Sequence, residues 1–140
     1  MTFPSFYFET RFSVQLQGID WPEAFAIVTA CATTGEIWSH EASADATTRL
    51  LAAIRQANLW HCPVTGFSPA GSHHEPGWAI ACSLEDACLL GQKFRQHAIY
   101  YVRGDELTVC LCENTFSEVT VGHFRERIVP RGDDGTLSRE

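Results

Sequence analysis

The chain has 140 residues, with ten Lys or Arg against seventeen Asp or Glu and a net charge of −7. The nearest basic cluster, Arg125, Arg127 and Arg131, is diluted by Glu126, Asp133 and Asp134. This balance argues against nucleic-acid binding, which needs clustered cations to neutralise phosphates.

Apolar residues make up 45% of the chain and charged residues 19%, which suits one globular domain. A chain of this length buries roughly 68% of its unfolded surface, enough for a core without staples. The expected organisation is a single domain over 1–129 and a flexible tail over 130–140, where the sequence turns polar and glycine-rich. Met1-Thr2-Phe3-Pro4 lacks a cationic region followed by an apolar run, and no apolar run approaches the roughly 20 residues of a membrane helix. The expectation is a cytoplasmic protein that does not enter a membrane. In that reducing setting Cys31, Cys62, Cys82, Cys88, Cys110 and Cys112 read as free thiols packed as small hydrophobes.

An aromatic-rich strand is expected within Phe3 to Gln17, where Tyr7, Glu9, Arg11 and Ser13 alternate with Phe6, Phe8, Thr10, Phe12 and Val14. After the turn Gly18 to Pro22, Ala24 to Cys31 carries almost no polar residue and reads as a strand buried on both faces. A helix follows over Ser43 to Asn58, with Leu50, Leu51, Ile54 and Ala57 on one stripe, Ser39 or Ser43 as its cap and Asn58 at its end. Leu59 to Val64 reads as a strand held near an edge or bulge by Pro63, and Trp78 to Cys82 as another buried strand. Ser83 with Asp86 three residues on predicts a second helix start, and Gly91 on its apolar stripe implies close approach to the sheet. Ala98 to Val102 and Leu107 to Cys112 form a hairpin around Gly104-Asp105, and Val119 to Phe124 adds a last strand. The order predicts an α+β fold: a single mixed sheet of about five to six strands with two helices packed on one face.

Between the strands at Leu59 and Trp78 lies Thr65 to Gly77, with three glycines, two prolines, His73, His74 and Glu75. In extended chain His73 and Glu75 face one side while His74 faces the other. A histidine and a carboxylate so placed suit an acid/base pair, so His73 and Glu75 are the catalytic candidates. A solvated turn, with Glu75 and Ser72 bonding the backbone, is the plainer reading. Gln96 and His97 stand where the second helix hands over to a strand, and Gln96 either closes a backbone end or reaches a ligand. With Thr29, at the end of the buried strand, and Ser72, they are the ligand-binding candidates. Cys110-x-Cys112 within a strand does not match the turn-borne knuckles of zinc sites, and no metal or cofactor is expected. Cys31 has no neighbour that would lower its pKa. There is no phosphate loop, dinucleotide fingerprint or nucleophile elbow.

Phe25-Ala26-Ile27-Val28-Thr29-Ala30, the Leu-rich helix, Gly66-x-x-Pro69-x-Gly71-Ser72-x-x-Glu75 and Leu90-Gly91-x-x-Phe94-x-Gln96-x-Ala98 follow one another in an order that resembles a small bacterial family, domain of unknown function 3293. The resemblance runs from Ala24 to Leu111, and Leu-Gly-x-x-Phe-x-Gln-x-Ala is its most specific part. It implies a single intracellular bacterial domain and supplies no activity. The chain departs from the family pattern at Ala32-Thr33, in place of Asn-Pro, at Ser68, in place of a common Asp, and at His97, in place of a common Asn.

Two functions fit. The first is a binding module for a small molecule or a protein, with the loop as the rim of its site. The second is a small enzyme acting on a soluble metabolite or nucleotide, with Glu75 and His73 as acid and base and Gln96 orienting the substrate. The sequence leaves the oligomeric state open.

Overall fold

The computed structural model describes residues 8–14, 18–29, 40–67, 74–112 and 117–130. Eight strands and two helices follow in the order β1 (Arg11–Val14), β2 (Ala24–Thr29), α1 (His40–Gln56), β3 (His61–Phe67), β4 (His74–Ile80), α2 (Leu84–Lys93), β5 (Ala98–Arg103), β6 (Glu106–Leu111), β7 (Glu118–His123) and β8 (Ile128–Pro130). The strands form one sheet in the order β7-β6-β5-β2-β4-β3-β1-β8, antiparallel except where β8 runs parallel to β1. The fold is mixed α+β with two helices, as the element pattern implies. The sheet has eight strands rather than five or six. β8 has three residues and no periodic pattern to announce it. β7 continues it through one 3-10 turn, Phe124–Glu126.

The sheet is strongly curled, and two magnitudes require it. β7 and β8 lie at opposite edges, seven spacings apart, which would be about 34 Å in a flat sheet. The chain from His123 to Ile128 reaches at most about 18 Å. Phe12 of β1 also meets Tyr100 of β5 edge-on, ring centres 5.0 Å apart, although three strands separate them.

The curl divides the core in two. Inside it, Phe12, Phe25, Ile27, Val64, Val102, Leu107, Val109 and Phe124 pack together. On its outer face the helices lay Ala46, Leu50, Ile54, Ala87 and Cys88 against Ala26, Val28, Ile80, Ile99 and Cys110. β2 lies between the two cores. Phe25 and Ile27 point inward, Ala26 and Val28 point to the helices, and all four are at most 3% exposed. This is why its sequence has no polar alternation.

Local chemistry sets the helix ends. Ser83 Oγ accepts the Asp86 N–H at 3.1 Å and caps α2. Both helices close with an αL residue in a Schellman turn, Asn58 after α1 and Arg95 after α2, each at φ 60°. At the second turn Gln96 N donates to Gly91 O at 2.8 Å and Arg95 N to Gln92 O at 3.0 Å. A Cβ on Gly91 would lie 2.3 Å from Cys112 Sγ, so the glycine does permit the close approach to the sheet. α1 begins at His40, so Ser43 lies inside the helix and is not its cap. Ser39 and, from residue 131 on, the tail expected over 130–140 lie outside the described residues.

The edges are clasped by Arg127. Its Nη1 donates to Thr10 O at 3.0 Å, just before β1, and its Nη2 to Val121 O in β7 at 2.6 Å. A register shift between β6 and β7 frees that carbonyl: Leu107 opposes Gly122 while Thr108 opposes Thr120, leaving Val121 as the extra residue of a bulge. Gly122 holds φ 148°, and a Cβ there would sit 3.0 Å from Arg127 Nη2. The Arg127 carbonyl accepts the Phe12 N–H at 2.8 Å. Arg127→Ala is expected to lower unfolding free energy by about 2–3 kcal/mol in urea titrations, the worth of two charge-assisted bonds discounted for partial exposure. Arg127→Lys should recover only part of it, because one ammonium cannot span both carbonyls in a fixed fork.

Candidate functional site

The described residues of the stretch Thr65 to Gly77, 65–67 and 74–77, are strand. β3 and β4 form a hairpin in which Thr65 opposes Pro76, Gly66 opposes Glu75 and Phe67 opposes His74. Gly66, Pro76 and Gly77, which mark a loop in the sequence, are incorporated into the ladder. Gly77 opposes Thr29, and a Cβ on it would stand 2.4 Å from Val28 O and 2.7 Å from Thr29 Cγ2. Here glycine brings two strands close rather than breaking one. Pro63 does not mark an edge, since β3 lies between β4 and β1; it falls beyond the Arg11-to-Ser13 register with β1. His73 and Ser72 lie outside the described residues.

Two of the ligand-binding candidates meet. Thr29 Oγ1 donates to Gln96 Oε1 at 2.9 Å, across 67 residues of sequence. Gln96 is 6% exposed, and its Nε2 donates to Phe94 O at 3.1 Å. The carboxamide therefore fastens the end of β2 to the Schellman turn of α2. Thr29 is half-buried, and its hydroxyl oxygen keeps acceptor capacity. His97, also half-buried, accepts the Cys112 N–H on its carbonyl at 3.0 Å, and Gln92 Nε2 donates to Cys112 O.

Strand alternation gives Glu75 its side. Ile27 and Ala79 point to the inner core, so Thr29, its partner Gly77 and Glu75, two residues before Gly77, share the inner side of the sheet. Thr29, Glu75 and Gln96 thus belong to one end of the adjacent strands β5, β2 and β4. His74, on the opposite side from Glu75, is exposed and stacks on Phe67 with ring centres 5.9 Å apart.

The cysteines described are free thiols. Cys82, Cys88, Cys110 and Cys112 belong to the helix-side core, whereas Cys62 points to the inner one. Cys62 therefore cannot join Cys110 and Cys112 around one ion. Among the described residues no three His, Cys, Asp or Glu side chains group as metal ligands. Burial pushes the Cys110 thiol up to about 12, helped by the Glu118 carboxylate, and the Cys112 thiol up to about 12, helped by Cys88. Cys31 lies outside the described residues.

At the other end of β2 is a cavity of about 330 Å³, lined by Trp21, Pro22, Glu23, Phe25, Gly104, Asp105, Phe124 and Arg125. Trp21 stacks on Phe25 at 5.1 Å and meets Phe124 edge-on at 5.0 Å. The sequence offers little hint of this cavity, because its walls come from three separate turns. Trp21-Pro22-Glu23 beside a buried strand is the one local sign.

A family model described as protein of unknown function (DUF3293) matches residues 28–99. The chain belongs to this family. No curated protein and no solved structure matches it. The DUF3293 segment opens at Val28 and closes at Ile99, so it contains Thr29, Glu75 and Gln96 with β4 and α2 but only the ends of β2 and β5, and leaves out Trp21 and Arg125. No helix among the described residues is long and apolar enough to cross a membrane.

Thr29→Val is expected to cost about 1–3 kcal/mol in denaturant titrations, because it leaves the buried Gln96 Oε1 without this donor. In a double-mutant cycle with Gln96→Leu the two costs should not add. Cys110 and Cys112 should resist a thiol reagent at pH 8 in the native protein and react on unfolding. Since burial raises their folded pKa values above the ordinary thiol value of 9.0, folding stability should be intact below pH 9 and fall as pH rises towards 12.

Proposed function

We propose that the chain is a binding module for a small polar ligand at the end of β2 where Thr29, Glu75 and Gln96 belong together. The observation that carries this reading is the part-buried Thr29–Gln96 hydrogen bond, which fastens the end of β2 to the turn between α2 and β5. A carboxylate on the inner side of that end selects for a ligand with an amine or other hydrogen-bond donor. Thr29 offers it an acceptor, and His97, next to Gln96, adds to the rim. The family segment supports the reading because it spans Thr29, Glu75 and Gln96.

The second reading is an enzyme acting on a soluble metabolite or nucleotide at the same end, with Glu75 and His73 as acid and base. In its favour stands the Glu75 carboxylate near the start of β4, on the inner side of the sheet.

A thermal-shift screen of small amines, amides and nucleosides tests both. A ligand at a hundredfold over its Kd should stabilise the protein by about 2.7 kcal/mol. Glu75→Gln should remove most of that gain. A ligand chemically converted by the wild type but not by Glu75→Gln would establish the enzyme reading. If nothing in the screen shifts the wild type, both readings fail.

A further inference from the structure

The cavity at the opposite end of β2 has its own chemistry. Its floor is Phe25 and Phe124, 1% and 2% exposed, and Trp21 forms a half-buried wall. Three charged side chains stand around it. Asp105 is committed within the protein: its Oδ1 accepts the Arg125 N–H at 2.8 Å, and its Oδ2 lies 3.5 Å from His123 Nδ1. The other two are uncommitted. Glu23 and Arg125 are exposed, and neither side chain has a hydrogen-bond or ion-pair partner among the described residues.

These opposite charges line one cavity without pairing, because separate backbone anchors hold them. Glu23 precedes β2, where its carbonyl accepts the Gly104 N–H at 2.7 Å. Arg125 lies in the 3-10 turn that Asp105 ties to the β5–β6 hairpin, with Phe124 N donating to Asp105 O at 2.8 Å. A ligand with only a positive group would satisfy Glu23 and be repelled by Arg125. A ligand with only a negative group would meet the reverse. A molecule carrying both, with an apolar part to rest on Trp21, is favoured at every wall. The volume, at the small end of ligand sites, suits one of amino-acid size.

From this we infer that the Trp21 cavity binds a free α-amino acid with an apolar side chain, its ammonium towards Glu23 and its carboxylate towards Arg125. The site is independent of the Thr29 end: the two lie at opposite ends of β2, Ala24 pairing with Arg103 at one and Thr29 with Gly77 at the other.

Isothermal titration of the full chain with L-phenylalanine, phenethylamine and 3-phenylpropionate tests it. L-Phenylalanine should bind saturably and at least about tenfold more tightly than either singly charged analogue. Glu23→Gln should weaken L-phenylalanine about tenfold while leaving 3-phenylpropionate no weaker, and Arg125→Gln should do the mirror image with phenethylamine. Both side chains are exposed, so unchanged melting temperatures verify that the variants fold. Glu75→Gln should leave this binding intact. The proposal is overturned by the lack of saturable binding, by an analogue binding as tightly as L-phenylalanine, by variants that bind like wild type, or by loss of binding in Glu75→Gln.

Discussion

The closure of the sheet by Arg127 is the constraint on which the rest of the structure depends. A curled sheet with open edges exposes its inner core to water and its ladder to foreign strands. Here the two edge strands are consecutive in sequence, and one guanidinium ties the backbone of edge strand β7 to that just before β1, the neighbour of β8. The bulge at Val121 supplies the acceptor, Gly122 supplies the space, and Phe12 bonds back to the Arg127 carbonyl. Polar bonds worth a few kcal/mol thus fix where a much larger hydrophobic term acts. Phe124, three residues earlier, is driven into contact with Phe12, Trp21 and Phe25. Burying one phenylalanine stabilises by about 1.5–3 kcal/mol, and the clasp determines that this burial occurs inside the curl.

That division of labour places the two candidate sites. The helix-side core and the Schellman turn of α2 hold Gln96 against Thr29, at the end of β2 that the DUF3293 segment covers. The inner core and the 3-10 turn after β7 build the Trp21 cavity at the other end. β2 is common to both because it packs on each side and its two ends lie at the two sites.

Much of this was legible in the sequence wherever one local rule decided the outcome. Ser83 caps its helix, Asn58 ends the other, Gly91 approaches the sheet, and Gly104-Asp105 turns a hairpin between Arg103 and Glu106. What escaped depended on partners distant in sequence. Gly66, Pro76 and Gly77 look like breakers, yet β3 and β2 hold them as strand. Ile128 to Pro130 is a strand because β1 accepts it, not because of any pattern of its own. Phe124 looks like the end of a strand and is the centre of the aromatic core. The bond between Thr29 and Gln96 was open for the same reason: both residues could be picked out singly, and nothing in the spacing of 67 residues says that they touch.

The parallel pairing of β8 with β1 joins the first and last strands described. On a ribosome, chain emerges from the N-terminal side at about 5–20 residues per second. β1 through β6 can pair with one another as they appear, since their partners all lie within that stretch. The inner aromatic face cannot close until Phe124, Arg127 and Ile128 have been made. Until then Phe12 and Phe25 form an open apolar trough beside an unpaired edge of β1. A nascent chain stalled before residue 124 therefore presents a surface suited to a chaperone, and release of the last strand switches it to a closed one.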